Sequence, residues 1–222
     1  MSAPAPWLLA LHSSSDTLAV GLQRLPEEGA GAAAELEPLE PPRLACFPLG
    51  RRLSNELIPC VETLLPAEHW RQLGRLVVAT GPGGFTGTRL SVVWARTLAQ
   101  QLAIPLHGFS SFLLMARRLG APGPNGACLE RFWLTQELPR RGVVAGCYQA
   151  DATVLGGMAE RVAPQLFKQS AGLVGLQRPA VVEPEADVAQ LLELGQRAAA
   201  ARQPGPWQPV LPLYPTSPVD GL

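Results

Sequence analysis

Apolar positions along this chain follow two periods, and the change from one to the other outlines the elements. Residues 7–12 form a nearly continuous apolar run, and 17–23 (TLAVGLQ) follow a Ser-rich turn at 13–16, which predicts an antiparallel hairpin opening a sheet. A third strand is expected at 43–49. Leu53, Leu57, Cys60, Val61 and Leu64 fall within one arc at 100° per residue, predicting a helix over 53–65 that Pro59 should kink or delay. Leu76–Ala79 reads as a buried strand, a Gly-rich loop follows at 81–87, and then an 18-residue helix from Thr86 to Ala103. Residues 104–109 read as a strand and 110–119 as a helix. The second half is less regular, with strands expected at 131–138, 142–149 and 179–183 and a helix from about Asp187 to Arg202. Strand, strand, strand, helix, strand, helix, strand is the order of a ribonuclease-H-like α/β unit.

The helix at 86–103 carries more apolar surface than one sheet face can cover. Leu90, Val92, Val93, Trp94, Ala95, Leu98, Ala99, Leu102 and Ala103 spread over roughly 280° of its circumference, whereas a helix on a sheet needs little more than about 100°. Arg89, Arg96 and Gln100 form its one polar stripe. The surplus calls for a neighbour, either the 53–65 helix or another chain.

Composition narrows the classes. The 222 residues hold 18 basic and 18 acidic side chains, with 47% hydrophobic residues, so a globular core is available and an autonomous nucleic-acid binder is disfavoured. Lys168 is the single lysine. Twenty-three prolines and 22 glycines concentrate at 26–48, 121–124 and 203–218 rather than spreading as low complexity. Residues 24–42 read as a surface loop. The last twenty residues, with six prolines plus Trp207 and Tyr214, are either a disordered end or a segment laid back on the body, and the aromatics favour the second. Cys46, Cys60, Cys128 and Cys147 lack metal spacing and read as buried thiols. With neither a secretory signal nor a membrane-spanning run, the chain is expected to be cytoplasmic and away from membranes.

Candidate chemistry is sparse. Gly81-Pro82-Gly83-Gly84-Phe85-Thr86-Gly87 joins a strand to a helix, where backbone N–H groups of Gly83, Gly84, Thr86 and Gly87 could meet an anion. It is neither a Walker A loop nor a dinucleotide fingerprint, and a tight turn that packs the helix on the sheet is the plainer reading. His12 ends the first strand where a sugar-kinase-like ATPase carries a carboxylate, and a neutral imidazole cannot replace a Mg²⁺-binding aspartate. Asp16 reads as a turn former, Ser110-Ser111 as a helix cap, and Arg140-Arg141 as a hairpin tip that could meet a phosphate. The three histidines lack metal spacing.

The stretch Leu76-Val77-Val78-Ala79-Thr80-Gly81-Pro82-Gly83-Gly84-Phe85-Thr86-Gly87-Thr88-Arg89-Leu90, continued through Ile104-Pro105-Leu106 and Gly108-Phe109-Ser110-Ser111, resembles the signature of the TsaB (YeaZ) family. The helix with its internal Pro59 and the ending Leu213-Tyr214-Pro215 extend the match, which is close over 1–118 and loose over 119–202. The resemblance implies an actin/Hsp70/sugar-kinase-like fold, with a full N-terminal domain at 1–104 and a reduced C-terminal domain at 105–222. It implies a non-catalytic, dimerization-type subunit of the complex that makes N6-threonylcarbamoyladenosine beside the tRNA anticodon. TsaD would be the transferase partner, TsaE a third subunit, and a second copy would replace TsaD when TsaD is absent. ATP and metal are then expected on the partners, none in this chain, and tRNA is met only through the complex. The partner surface would comprise Leu53, Glu56, Leu57, Val61 and Leu64 with Arg89, Leu90, Val93, Trp94, Arg96 and Leu98. Two positions depart from the family: His12-Ser13-Ser14 replaces Asp-Thr-Ser, and Leu53 stands where a histidine is common. The alternative is a small nucleotide-dependent phosphotransferase using the 81–87 loop.

Overall fold

The computed structural model of the chain describes residues 6–25, 40–120 and 131–216. Most of the loop expected at 24–42, and Cys128, lie outside them. Two sheets organise the fold. The first has the order β3-β2-β1-β4-β5, built from β1 (Trp7–His12), β2 (Thr17–Arg24), β3 (Arg43–Pro48), β4 (Leu73–Ala79) and β5 (Leu106–Phe109). β1–β2 and β2–β3 pair antiparallel, while β1–β4 and β4–β5 pair parallel.

Period-two alternation in β1 sends side chains to two different cores. Trp7, Leu9 and Leu11 join Leu53, Leu57, Val61, Val92 and Ala95 on one side, under α1 (Leu53–Glu62) and α2 (Phe85–Leu102). Leu8 and Ala10 join Val188, Leu191, Leu192 and Leu194 on the other, under α4 (Pro184–Ala200). Burial on both faces explains why β1 reads as an unbroken apolar run. α1 runs continuously through Pro59, which sits on its exposed side and accepts the Thr63 N–H at 3.2 Å. α2 ends in a left-handed Ala103 (φ 53), with Ile104 N–H donating to Ala99 C=O at 3.0 Å.

The second sheet has the order β8-β7-β6-β9: β6 (Arg131–Leu138), β7 (Gly142–Ala150), β8 (Met158–Phe167) and β9 (Leu176–Pro179). α3 (Ser111–Gly120) covers one face through Phe112, Met115 and Ala116 against Phe132, Leu134, Val144 and Tyr148. β8 was not expected from the sequence, and the strand placed at 179–183 lies at 176–179 instead. Both are sheet edges: β8 carries Glu160, Arg161 and Pro164, and β9 is exposed along its length. The expected division at 104/105 leaves β5 and α4, which come after it, on the first sheet. The reading of all cysteines as buried thiols needs correction, because Cys46 is exposed on the edge strand β3 while Cys60 and Cys147 are buried.

The Pro-rich tail is laid back on the body as far as residue 216. Leu106 N–H donates to Gly205 C=O (2.8 Å) and Leu213 N–H to Thr80 C=O (2.7 Å), so the tail straps the open edge of β5. The buried Arg75 donates from both terminal nitrogens to Gln203 C=O at 3.1 Å and also contacts His107. Val210 is buried in the main core, and Trp207 packs against it.

Candidate functional site

The two loops that could hold an anion are pressed against each other. Gly84 N–H donates to Ser14 C=O at 3.1 Å, and Ser13 Oγ donates to Gly87 C=O at 3.0 Å and shares a hydrogen bond with the Ser91 hydroxyl at 2.8 Å. Ser14 and Ser111 share a hydroxyl–hydroxyl hydrogen bond. A Cβ built on Gly83 would stand 2.5 Å from Ser14 Cα and Cβ, so the glycine is there to admit the 13–14 turn. A Cβ on Gly87 would stand 3.0 Å from Ser13 O, and one on Gly81 3.0 Å from Leu213 O of the tail. Gly84 and Thr86 are exposed. The glycines therefore serve close packing between loops, which is the plainer of the two readings.

Carboxylates and imidazoles do not compensate. His12 is fully buried, and neither ring nitrogen has a hydrogen-bond partner. Burial lowers its pKa to about 4. Asp187 Oδ2 lies 4.0 Å from His12 Nε2 but is engaged elsewhere, accepting the Glu183 N–H at 2.9 Å, while Oδ1 faces Arg118 Nε at 3.4 Å. Arg118 also pairs with Glu183 and donates to Val181 C=O at 2.6 Å, so this cluster pins the start of α4. Asp16 is exposed, and its backbone carbonyl accepts Leu49 and Gly50 N–H groups at 3.1 and 2.8 Å, as a turn residue should. Among the described residues no group of three or more His, Cys, Asp or Glu side chains is placed to hold a metal ion. No helix among them is long and apolar enough to cross a membrane.

The helical face is divided differently from the expectation. Leu53, Leu57, Val61 and Leu64, expected at a partner, point into this chain's own core and are at most 8% exposed. A single apolar arc on α1 is used up by its own sheet. On α2, Leu90, Trp94 and Leu98 are half-buried against the same core. Trp94 meets Trp70 edge-on (centroids 5.4 Å), and Arg96 lies 5.5 Å over the Trp207 ring. Trp70 thus covers part of the surplus arc at Trp94, and Trp207 lies against the polar stripe at Arg96. Left outward are Ile58 on α1 (45% exposed), Phe85 and Val93 on α2 (42% and 50%), with Arg89 exposed and Glu56 half-buried beside them. Tyr214 from the tail stacks on Phe85 with centroids 4.7 Å apart. Ile58, Phe85 and Trp70 were not singled out for these roles by the sequence reading, whereas Trp207 and Tyr214 were named there as favouring a tail laid back on the body.

The order β3-β2-β1-β4-β5, with α1 and α2 on one face and α4 on the other, defines the class, an α/β protein built on a mixed five-stranded sheet. Two solved structures from Pseudomonas aeruginosa share it, each with a TM-score of 0.67. One is described as YeaZ (21% identical, covering 94% of this chain and 99% of that one). The other is described as an uncharacterized protein with similarity to peptidase YEAZ (23% identical, covering 95% of this chain and 100% of that one). Over 95 residues this chain is 36% identical to the tRNA threonylcarbamoyladenosine biosynthesis protein TsaB of Bacillus subtilis (strain 168), a match covering 42% of this chain and 37% of that protein's length. A family model described as TsaD: tRNA N6-adenosine threonylcarbamoyltransferase matches residues 49–129. Over the 95-residue stretch the sequence is similar to TsaB, and along nearly its whole length the fold is that of the two YeaZ-type structures; the matched stretch spans well under half of the Bacillus subtilis protein.

Proposed function

We propose that this chain is a non-catalytic scaffold subunit in the biosynthesis of N6-threonylcarbamoyladenosine on tRNA, and that it binds a TsaD-type transferase through the outer face of α1 and α2. The observation that carries the reading is the pairing of closed loops with an open helical face. Ser14 packs so closely on Gly83 that a Cβ would not fit between them, while Ile58, Phe85 and Val93 stay outward on α1 and α2. Apolar side chains of this kind form the centre of an interface, and Arg89 and Glu56 beside them supply a polar rim. Leu90, Trp94, Arg96 and Leu98 support that face from below. In the absence of a TsaD-type subunit the same face would take a second copy of this chain. A TsaE-type ATPase would join the assembly, with ATP and metal held by the partners and tRNA met in the cytoplasm.

The test is a mixture with a TsaD-type protein from the same source, its mass read by size exclusion with light scattering. A mixed complex is expected. Val93→Asp should abolish it while leaving the unfolding midpoint unchanged, because the side chain is half out of the core. Unimpaired association of that variant would refute the placement. The phosphotransferase alternative requires the 13–14 and 81–87 loops to part, and micromolar binding of ATP with Mg²⁺ to the isolated chain by calorimetry would favour it.

A further inference from the structure

The turn between β6 and β7 gathers cations that the rest of the fold leaves unpaired. Leu138 pairs with Gly142 across the hairpin end, Arg141 N–H donates to Leu138 C=O at 3.0 Å, and Arg140 takes a left-handed φ of 66° at the tip. The antiparallel partner β8 ends beside it, with Val143 opposite Phe167 and a Cβ on Gly142 only 3.3 Å from Lys168 Cα. Topology thus brings Arg140, Arg141 and the chain's single lysine to one end of the second sheet, all three exposed. None forms an ion pair with a described residue. Four arginines elsewhere are in ion pairs: Arg117 with Glu193, Arg118 with Glu183 and Asp187, Arg161 with Asp151, and Arg197 with Glu193.

Local charge balance points the same way. The whole chain is neutral, yet residues 131–179 hold six basic side chains against three acidic ones. Of the three, Asp151 is taken by Arg161 and Glu160 accepts the Tyr148 hydroxyl. Glu137 remains and shares with Arg140, Gln169 and Ser170 the wall of an open hollow of about 530 Å³. Of the apolar residues in that wall, Leu138 is half-buried and Val143 buried, and Pro139 alone is exposed, so no large apolar side chain of the wall stands out toward a protein partner. A protein interface needs an apolar centre, whereas a phosphodiester backbone needs only cations and neutral donors on flexible arms.

We propose that Arg140, Arg141 and Lys168 form a contact for the sugar-phosphate backbone of RNA, which the chain contributes to its assembly from the lobe opposite the α1/α2 face. The RNA would be the tRNA of the assembly, so this step rests on the scaffold reading above. A neutral chain offering three phosphate contacts binds weakly alone and adds to affinity once the partner is bound.

The experiment titrates a labelled, unmodified tRNA transcript with the chain plus its TsaD-type partner at several salt concentrations, read by fluorescence anisotropy. Wild type is compared with the triple variant Arg140→Ala/Arg141→Ala/Lys168→Ala, and light scattering on the same samples reads assembly. The variant is expected to assemble normally, to lose affinity about tenfold or more near physiological salt, and to lower the slope of log K against log salt by roughly two to three. Normal assembly with an unchanged slope would overturn the proposal while leaving the scaffold reading intact. If wild type does not assemble, the scaffold reading falls, and the same slopes measured on the free full-length chain decide this proposal. Competition by oligoglutamate as strong as by RNA of equal charge would also overturn it, in favour of an acidic protein.

Discussion

Gly83→Ala probes whether the two candidate phosphate loops are structural partners. The added Cβ would lie 2.5 Å from Ser14 Cα and Cβ, about 1 Å inside ordinary contact, and closer still to the Ser14 carbonyl oxygen. Ser14 cannot yield alone. Its carbonyl accepts the Gly84 N–H at 3.1 Å and its hydroxyl is bonded to that of Ser111. Overpacking of this sort costs about 1–3 kcal/mol, and losing one or two of these hydrogen bonds adds about 1 kcal/mol each. The expected loss is therefore roughly 2–5 kcal/mol. Gly84→Ala is the internal control: a Cβ there meets nothing within 4 Å, and φ −57°, ψ 120° suits alanine, so its effect should stay within about 0.5 kcal/mol. Urea unfolding followed by tryptophan fluorescence measures both. A Gly83→Ala variant as stable as wild type would mean that the loops stand apart in solution, and would reopen the site to a phosphate.

Other consequences follow from burial and backbone conformation. Leu57→Ala should cost about 2–5 kcal/mol by calorimetry or urea unfolding, since Leu57 is 3% exposed; an unchanged stability would remove α1 from the core. Ala103→Gly should stabilise by about 1 kcal/mol, read as a melting-temperature rise of ~2–4 °C, because a non-glycine residue holds φ 53° at the end of α2. Stability should fall on acidification. The unfolded His12 titrates near 6.5 and the folded one near 4, so the folded state refuses a proton that the unfolded state accepts, and stability complete above pH 6.5 is lost progressively towards pH 4. That gap corresponds to about 3 kcal/mol, and unfolding curves of His12→Leu between pH 4 and 7 should be correspondingly flatter; an unflattened profile would assign the acid loss to other groups.

The first lobe was legible because its elements are buried on regular periods. β1 and β4 read as strands from apolar runs, and α1 and α2 from 100° periodicity, since each carries its own core face in its own sequence. β8 was not legible: an edge strand covered on one side needs few apolar residues, and Arg161 and Pro164 conceal it. The division of α1 and α2 into inner and outer faces failed for a different reason. Periodicity tells that Leu57 and Val61 share a face but not whether that face meets the chain's own sheet or a partner. Deciding it required the positions of Trp70, in the segment between the two helices, and of Trp207, far along the chain in the tail. The pinning of α4 by Arg118 and Asp187, 69 residues apart, and of the tail by Arg75 left no local signal at all.

A second similarity within the chain lies in topology rather than in sequence period. β8-β7-β6-β9 repeats β3-β2-β1-β4 in order and in the sense of every pairing. The copies differ in their connections: β3 reaches β4 through α1, whereas β8 reaches β9 through a single helical turn at Ser170–Gly172. The second sheet consequently has one face covered by α3 and another holding only Val143, Ala145 and Leu173, with Trp133 and Phe167 packed against them. A cleft that works between two such lobes needs open loops on the first and a full set of elements on the second. Here Ser13 and Ser14 close the first lobe's loops, and among the described residues no α-helix joins β8 to β9. What the duplication leaves available is outward surface: apolar on α1 and α2, cationic at the β6–β7 turn. On the scaffold reading proposed above, losses confined to those two surfaces should separate assembly from RNA contact.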